Sequence, residues 1–337
     1  MKRKNRDRNS IISLILIIGF LEVCIPSMVG MANVDVVKIT IEGTSITAFN
    51  EGGRVLWIKN LGNDITCHVL TDLNKDGKNE IIVGTGYKPG DKPGYIYVFN
   101  SSGTELWEYK TGTGCERVFH HSDIFTVTHI LVDDLDNDGK KEILVNSHNV
   151  PWYPARLLLF DANGAIKQEY WHPGYIFDVK IADIEGDGYK EIIGGGTNND
   201  LGHIPVIFVL NPQIMNGQAP PYCGNFPHAS EKYYKKIPLS EVRKEGCSVK
   251  EISFDGDRLV ASTEDGRFFY YDSNMNSLGV GYSDWYIQQI EKIKEKEFYA
   301  KTYPLILTIV SIILSIIGGV FLGAFLERKG KMPKRKK

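Results

Sequence analysis

Between residues 34 and 283 short aliphatic or aromatic runs alternate with acidic or Asn/Gly-rich turns. Runs of this length, bounded by turn residues and rich in Ile, Val, Phe and Tyr, predict strands and not helices. The pattern writes out a four-stranded unit several times over. Strand one is expected at 65–72, 125–134, 175–183 and 247–254, and strand two at 79–86, 141–147, 190–196 and 258–263. Strand three follows at 95–100, 155–161, 205–210 and 267–272, and strand four after the next turn. Residues 34–60 supply strands two to four of an N-terminal unit and no strand one.

The turn before strand four repeats. An apolar residue followed by Asn or Asp recurs at Phe49-Asn50, Phe99-Asn100, Phe160-Asp161, Leu210-Asn211 and Tyr271-Asp272, at intervals of 50, 61, 50 and 61 residues. In the first two copies the register continues through Gly53 and Gly103 to Leu56-Trp57 and Leu106-Trp107. Repeats of this length built from short strands predict an all-β propeller of about five four-stranded blades. Because the first unit lacks a strand, ring closure needs one from elsewhere. Trp285 to Ile290 is the candidate; the alternative is that 284–303, rich in Glu and Lys, is a helical stalk.

Three acidic loops lie between strands one and two: Asp72-Leu-Asn74-Lys-Asp76-Gly77-Lys-Asn-Glu80, Asp134-Leu-Asp136-Asn-Asp138-Gly139-Lys-Lys-Glu142 and Asp183-Ile-Glu185-Gly-Asp187-Gly188-Tyr-Lys-Glu191. Oxygen side chains at positions one, three and five can converge on one hard cation, and Gly at position six permits the sharp turn. A helical calcium loop would need a bidentate Glu at position twelve, where this chain has Val83, Val145 and Gly194. The further acid comes at position nine instead. The fifth unit has only Asp255-Gly256-Asp257-Arg258, too short to enclose a cation.

The acidic pattern resembles the FG-GAP (VCBS-like) repeat of integrin-alpha-type β-propellers, over roughly residues 65–200. The resemblance implies calcium as cofactor, held by side chains at positions one, three, five and nine and a carbonyl at seven. Carried onto this chain, the ligands are Asp72, Asn74, Asp76 and Glu80; Asp134, Asp136, Asp138 and Glu142; and Asp183, Glu185, Asp187 and Glu191. Glu stands at position nine in all three loops where the family has Asp, and loop three departs further with Glu185 at position three.

The ends of the chain place the domain. Ile11 to Leu21 is apolar behind Lys2, Arg3, Lys4, Arg6 and Arg8, a signal-sequence layout, with small residues for cleavage at Gly30-Met31-Ala32. Leu305 to Leu326 carries no charge, and ~33 Å of helix suffices for the hydrocarbon core of a bilayer. Basic residues from Arg328 to Lys337 then mark the cytoplasmic side. The expected organisation is a signal peptide or anchor helix at 1–32 and a propeller at 33–283 outside the cytoplasm. A stalk or closing strand at 284–303, a transmembrane helix at 304–326 and a basic cytoplasmic tail at 327–337 follow.

A formal net charge of −2 argues against a nucleic-acid partner. Four cysteines follow the signal segment, Cys67, Cys115, Cys223 and Cys247, an even number that permits two disulfides in an oxidising compartment. Cys223 to Cys247 is the preferred bridge, because it would close the insertion at 212–246, which shows no strand pattern. Free buried thiols are the alternative.

In a four-stranded blade the acidic loops share one face of the disc. The connections two-to-three and four-to-one, on the other face, carry His120, His121, His148, Trp152, Trp171, His172 and His203. Three readings of that face stand open. It is a recognition surface for a glycan or protein ligand, as in cell adhesion; or an enzyme site acting on polysaccharide through imidazole and indole groups; or a set of solvated loop residues on a structural scaffold. No nucleophile elbow, Walker loop or dinucleotide fingerprint is present.

Overall fold

Each acidic loop closes an antiparallel hairpin, and each hairpin opens a meander of four strands. This architecture comes from a computed structural model, which describes residues 35–86, 92–115, 121–150, 153–221, 227–243 and 246–330, with side chains to 315. The expected signal segment at 1–32, the tail beyond 330, His120, Trp152 and Cys223 lie outside the described residues.

Sheet one has three strands, β1 (Lys38–Glu42), β2 (Ser45–Phe49) and β3 (Val55–Asn60). Sheet two is β4 (Asp64–Thr71), β5 (Glu80–Gly86), β6 (Tyr95–Phe99) and β7 (Glu105–Lys110). Sheet three contains β8 (Phe125–Asp133), β9 (Glu142–Asn149), β10 (Ala155–Phe160) and β11 (Ile166–His172), with β15 (Gly217–Gln218) added in parallel beside β11. Sheet four is β12 (Gly174–Ala182), β13 (Glu191–Asn198), β14 (Ile204–Leu210) and β16 (Glu231–Lys236). Sheet five is β17 (Val249–Asp255), β18 (Arg258–Thr263), β19 (Arg267–Tyr271) and β20 (Ser277–Tyr282).

Strand two of each central sheet has adjacent aliphatic residues after its Glu, without alternation, because both its faces are buried. Ile143 and Val145 pack with Ile82, Ile96 and Val98 of sheet two, whereas Leu144 packs with Ile176, Ile192 and Phe208 of sheet four. Ile193 then joins Ile207 to Val249, Leu259 and Phe269 of sheet five. One apolar layer therefore fills each space between successive sheets. Among the described residues no such layer joins sheet five to sheet one.

The sheets repeat in detail. A bulge interrupts the strand-three to strand-four ladder at the same point in every sheet, leaving one extra residue: Leu56, Leu106, Lys167, Lys232 or Leu278. In the first three sheets the residue after it hydrogen-bonds to the next sheet. Trp57 Nε1 donates to the Ser101 carbonyl at 3.0 Å, Trp107 Nε1 to Ala162 at 3.1 Å, and Gln168 Nε2 to Gln213 at 2.8 Å. The glycine of the receiving turn makes room for the indole: a Cβ on Gly164 would lie 2.6 Å from Trp107.

Two expectations are corrected. The insertion at 212–246 is not strandless, since it contains β15 and β16. The β16 segment Glu231-Lys-Tyr-Tyr-Lys-Lys236 is a polar edge strand, paired only with β14, and it shows little apolar alternation. Trp285 to Ile290 is not a closing strand but the first turns of α1 (Asp284–Gly330). Ser283 caps that helix by accepting the Tyr286 amide at 3.2 Å on its hydroxyl, while its own amide donates to the Gly266 carbonyl at 2.8 Å. Among the described residues sheet one accordingly remains three-stranded.

The α1 helix is long and apolar enough to cross a membrane, by length and composition. Three hydroxyls of its apolar stretch bond within the helix: Thr308 Oγ1 donates to Pro304 O at 2.9 Å, Ser311 Oγ to Thr308 O at 2.8 Å and Ser315 Oγ to Ser311 O at 2.8 Å. That suits an apolar surround, where an unpaired polar group costs several kcal/mol.

The indole-over-glycine contact predicts a difference between two substitutions. Gly164 and Gly202 have similar φ, +87° and +88°, but a Cβ at Gly202 meets nothing within 4 Å. Gly202→Ala should cost only the left-handed backbone penalty, about 1–2 kcal/mol. Gly164→Ala should cost a further ~1–3 kcal/mol by displacing Trp107, as measured by chemical denaturation of the full chain in detergent micelles.

Candidate metal centre

The three acidic loops share one backbone. Position four is left-handed in each, at Lys75, Asn137 and Gly186 (φ 62°, 59° and 73°), and so is the position-six glycine, at 84°, 86° and 87°. This winding turns successive amides inward, and the position-one carboxylate accepts them. Asp72 takes the amides of Asp76 at 3.2 Å and Gly77 at 3.0 Å; Asp134 takes that of Gly139 at 2.9 Å; Asp183 takes that of Gly188 at 2.8 Å. The Gly188 amide is the main cause that holds the Asp183 carboxyl below its ordinary pKa.

Position nine opens strand two and is almost wholly buried. Glu80, Glu142 and Glu191 each give one oxygen to the amide of position two, at Leu73 (2.9 Å), Leu135 (2.9 Å) and Ile184 (3.2 Å). The expected ligand at position nine is thus half committed to fastening the loop. Burial, with Asp76 and Asp72 nearby, raises the Glu80 pKa against the opposing Leu73 hydrogen bond.

The second oxygen of position nine meets a different partner in each loop. In loop one, Glu80 Oε1 accepts from Asn74 Nδ2 at 3.3 Å. In loop two, Glu142 Oε1 meets Lys167 Nζ at 2.9 Å, and the same ammonium pairs with Asp136. Loop three repeats this with Lys232, 2.8 Å from Glu191 and 2.6 Å from Glu185. The hydrogen bond from Lys167 lowers the Asp136 pKa.

Loop two comes nearest to a formed metal centre. Oxygens of Asp134, Asp136 and Asp138 lie within 4.8 Å of one another. Asp134 Oδ1 is buried without a hydrogen-bond partner, which ordinarily signals an ion or water. An all-oxygen set of this kind fits a hard divalent cation such as calcium. A cavity of about 550 Å³ opens beside it, bounded by Asp136, Asp138, Glu142, Lys167, Gln168 and Gln213. In loop three Glu185 pairs with Lys232 as Asp136 does with Lys167, but no such cluster of three acid oxygens is found there among the described residues.

The loops occupy one side of the sheets as neighbours. Asn137 Nδ2 of loop two donates to Gly188 O of loop three at 2.9 Å, and Lys141 Nζ reaches Asp72 O of loop one at 3.0 Å. Position eight also grips the preceding sheet: Asn79 to Asp35, Lys141 to Thr71 and Lys190 to Asp133.

The residues expected on the opposite face do not all reach it. Trp171 and His172 are interior, 1% and 0% exposed. The physical reason is that β11 runs through to His172 and is then covered by β15. Trp171 lies against the buried Arg156 guanidinium, 4.5 Å from its ring centroid, and donates to Glu169, the ion-pair partner of Arg156. His172 Nε2 contacts the Tyr234 hydroxyl at 3.2 Å. His121 is half-buried against Tyr153, with ring centroids 5.2 Å apart, and His148 lies 4.4 Å from Tyr175. His203 alone of these is exposed, at φ 56° in the β13–β14 turn. Cys247 is a buried free thiol, as is Cys115.

Lys167, Lys232 and Arg156 are functional or structural charges that the motif reading passed over. The signal for Arg156 was a lone cation in Ala155-Arg-Leu-Leu-Leu-Phe160. The two lysines carried none, because their role depends on a bulge that aims them across the sheet.

Residues 72–145 match the family model of the FG-GAP-like repeat. No curated protein matches the chain. Solved structures that resemble it include BamB from Moraxella catarrhalis, at 12% identity over 73% of this chain and 63% of that one, with a TM-score of 0.45. The Dos1 propeller (11%, covering 72% and 65%, TM-score 0.35) and a europium-containing methanol dehydrogenase (12%, covering 72% and 49%, TM-score 0.43) are others. The chain thus spans less than two thirds of the BamB structure's length.

Burial pushes the His172 pKa down from 6.5 to about 3 and that of His148 to about 4. Above pH 6.5 these imidazoles are neutral whether folded or unfolded, and their burial carries no proton penalty. Between pH 6.5 and about 3 the unfolded chain binds protons that the folded chain refuses, so stability falls as pH falls through that window. Denaturation midpoints taken from pH 7.5 to 4 should decline, and His172→Gln should flatten the decline.

Proposed function

We propose that this chain is a membrane-anchored, calcium-binding β-module of propeller type, displayed outside the cytoplasm as an adhesion or ligand-recognition domain. The observation that carries the reading is loop two, where three carboxylates converge around the partnerless Asp134 Oδ1 on a backbone that loops one and three share. The FG-GAP-like match over 72–145 supports calcium as the cation. Calcium there neutralises carboxylates that would otherwise repel one another and so stiffens the hairpins.

The five sheets serve as blades, and α1 serves as stalk and anchor, with the basic residues from Arg328 to Lys337 on the cytoplasmic side. Recognition of a glycan or protein partner falls to the face opposite the acidic loops, through His121, Tyr153 and the exposed His203. Burial of Trp171 and His172 takes from that face two of the groups that a polysaccharide-cleaving site would need.

Calcium should raise the melting temperature of the full chain in detergent micelles. A cation that binds only the folded hairpin adds about 2.7 kcal/mol at a hundredfold excess over its Kd. Asp76→Ala and Asp138→Ala should each remove part of that gain, and Asp187→Ala less. Equal melting in chelator and in millimolar calcium would overturn the calcium reading. For the recognition face, His121→Ala and His203→Ala should weaken capture on a glycan or cell-surface array while the calcium gain stays intact. A loss above ~1 kcal/mol marks a residue that drives binding.

A further inference from the structure

Position three and the strand-four bulge change together. Where position three is the neutral Asn74, the bulge residue of the same sheet is Leu106. Where it is Asp136 or Glu185, the bulge residue is Lys167 or Lys232. In both cases the lysine bridges positions three and nine, at 2.5 and 2.9 Å in loop two and at 2.6 and 2.8 Å in loop three. Over positions one, three, five and nine together with the bulge residue, loop one has three acids and no lysine, and loops two and three have four acids and one lysine each. Over those positions all three therefore carry the same formal charge once the bridge is made.

We propose that Lys167 and Lys232 are tethered counter-ions that take the place of a divalent cation's charge at loops two and three and compete with it. The inference rests on the calcium reading above. The ammonium occupies oxygens at two of the positions that a cation would use, in a partly buried setting where charge is incompletely screened: the Glu142 side chain is 3% exposed and Glu191 4%. The lysine holds each hairpin together without metal and lowers the metal's gain on entering. The bulge makes this possible, since it leaves one extra strand-four residue at the same point in all five sheets, and only at Lys167 and Lys232 does that residue carry an amine.

The test compares the full chain in detergent micelles with Lys167→Met, Lys232→Met and Lys167→Arg, each melted in chelator and in calcium. Lys167→Met should melt several degrees lower than wild type in chelator and recover in calcium, so that its calcium-induced gain exceeds that of wild type. Calorimetric titration with calcium should show tighter binding, by about tenfold or more for removal of a unit charge in contact with the ligands. Lys167→Arg should behave as wild type, and Asp136→Asn should suppress the loss caused by Lys167→Met in chelator. An equal loss in chelator and calcium would make the lysine merely structural and overturn the proposal. A wild-type calcium response that Lys167→Met and Lys232→Met leave unchanged overturns competition alone. No response in wild type or either methionine variant overturns the calcium reading and the competition together.

Discussion

Ile81 and Ile82, and likewise Ile192 and Ile193, are adjacent in sequence but pack into different interfaces. Burial on both faces of strand two is the constraint that the other features serve. A strand in that position has no solvated side on which to place a charge, so its acidic residue can enter only at the end, as Glu80, Glu142 or Glu191. There its carboxylate is compensated by an amide on one side and by an amide or ammonium on the other. The loop is thus built outward from the core, and its position-nine acid is nearly as inaccessible as the isoleucine that follows.

The contacts between sheets are directional in the same sense. Position-eight side chains reach back to the preceding sheet, while the residues after the bulges, Trp57, Trp107 and Gln168, reach forward. Each interface is then an apolar layer with polar fastenings on either side of it. Apolar layers alone would allow neighbouring sheets to slide, whereas a hydrogen bond from an indole to one particular carbonyl fixes the register.

Much of this was legible before any coordinates. Strand limits fell within a few residues, because Gly and Asn turns punctuate short aliphatic runs. The hairpin position of the acidic loops followed from position six being glycine. What escaped had physical reasons. The β16 strand is lysine-rich and lies at an edge, so it shows no burial period. Trp285 to Ile290 is rich in the aromatic and β-branched residues that strands favour, yet Ser283 caps a helix there. Trp171 and His172 read as loop aromatics, because their burial depends on β15, a two-residue strand from a distant insertion. Lys167 and Lys232 acquire meaning only from a bulge, which no local pattern in the sequence reveals.

The join at Ser283 has a mechanical consequence. Its backbone amide is bonded to Gly266 in the β18–β19 turn, and Tyr286, 9% exposed, stacks on Tyr282 at 5.1 Å. Tension along α1 would therefore reach the sheets through β20, a strand that among the described residues is paired on one side only and is largely exposed. Under load that edge would be the first element to peel away. The acidic hairpins sit two or more strands further in, and they would keep their shape until it had yielded.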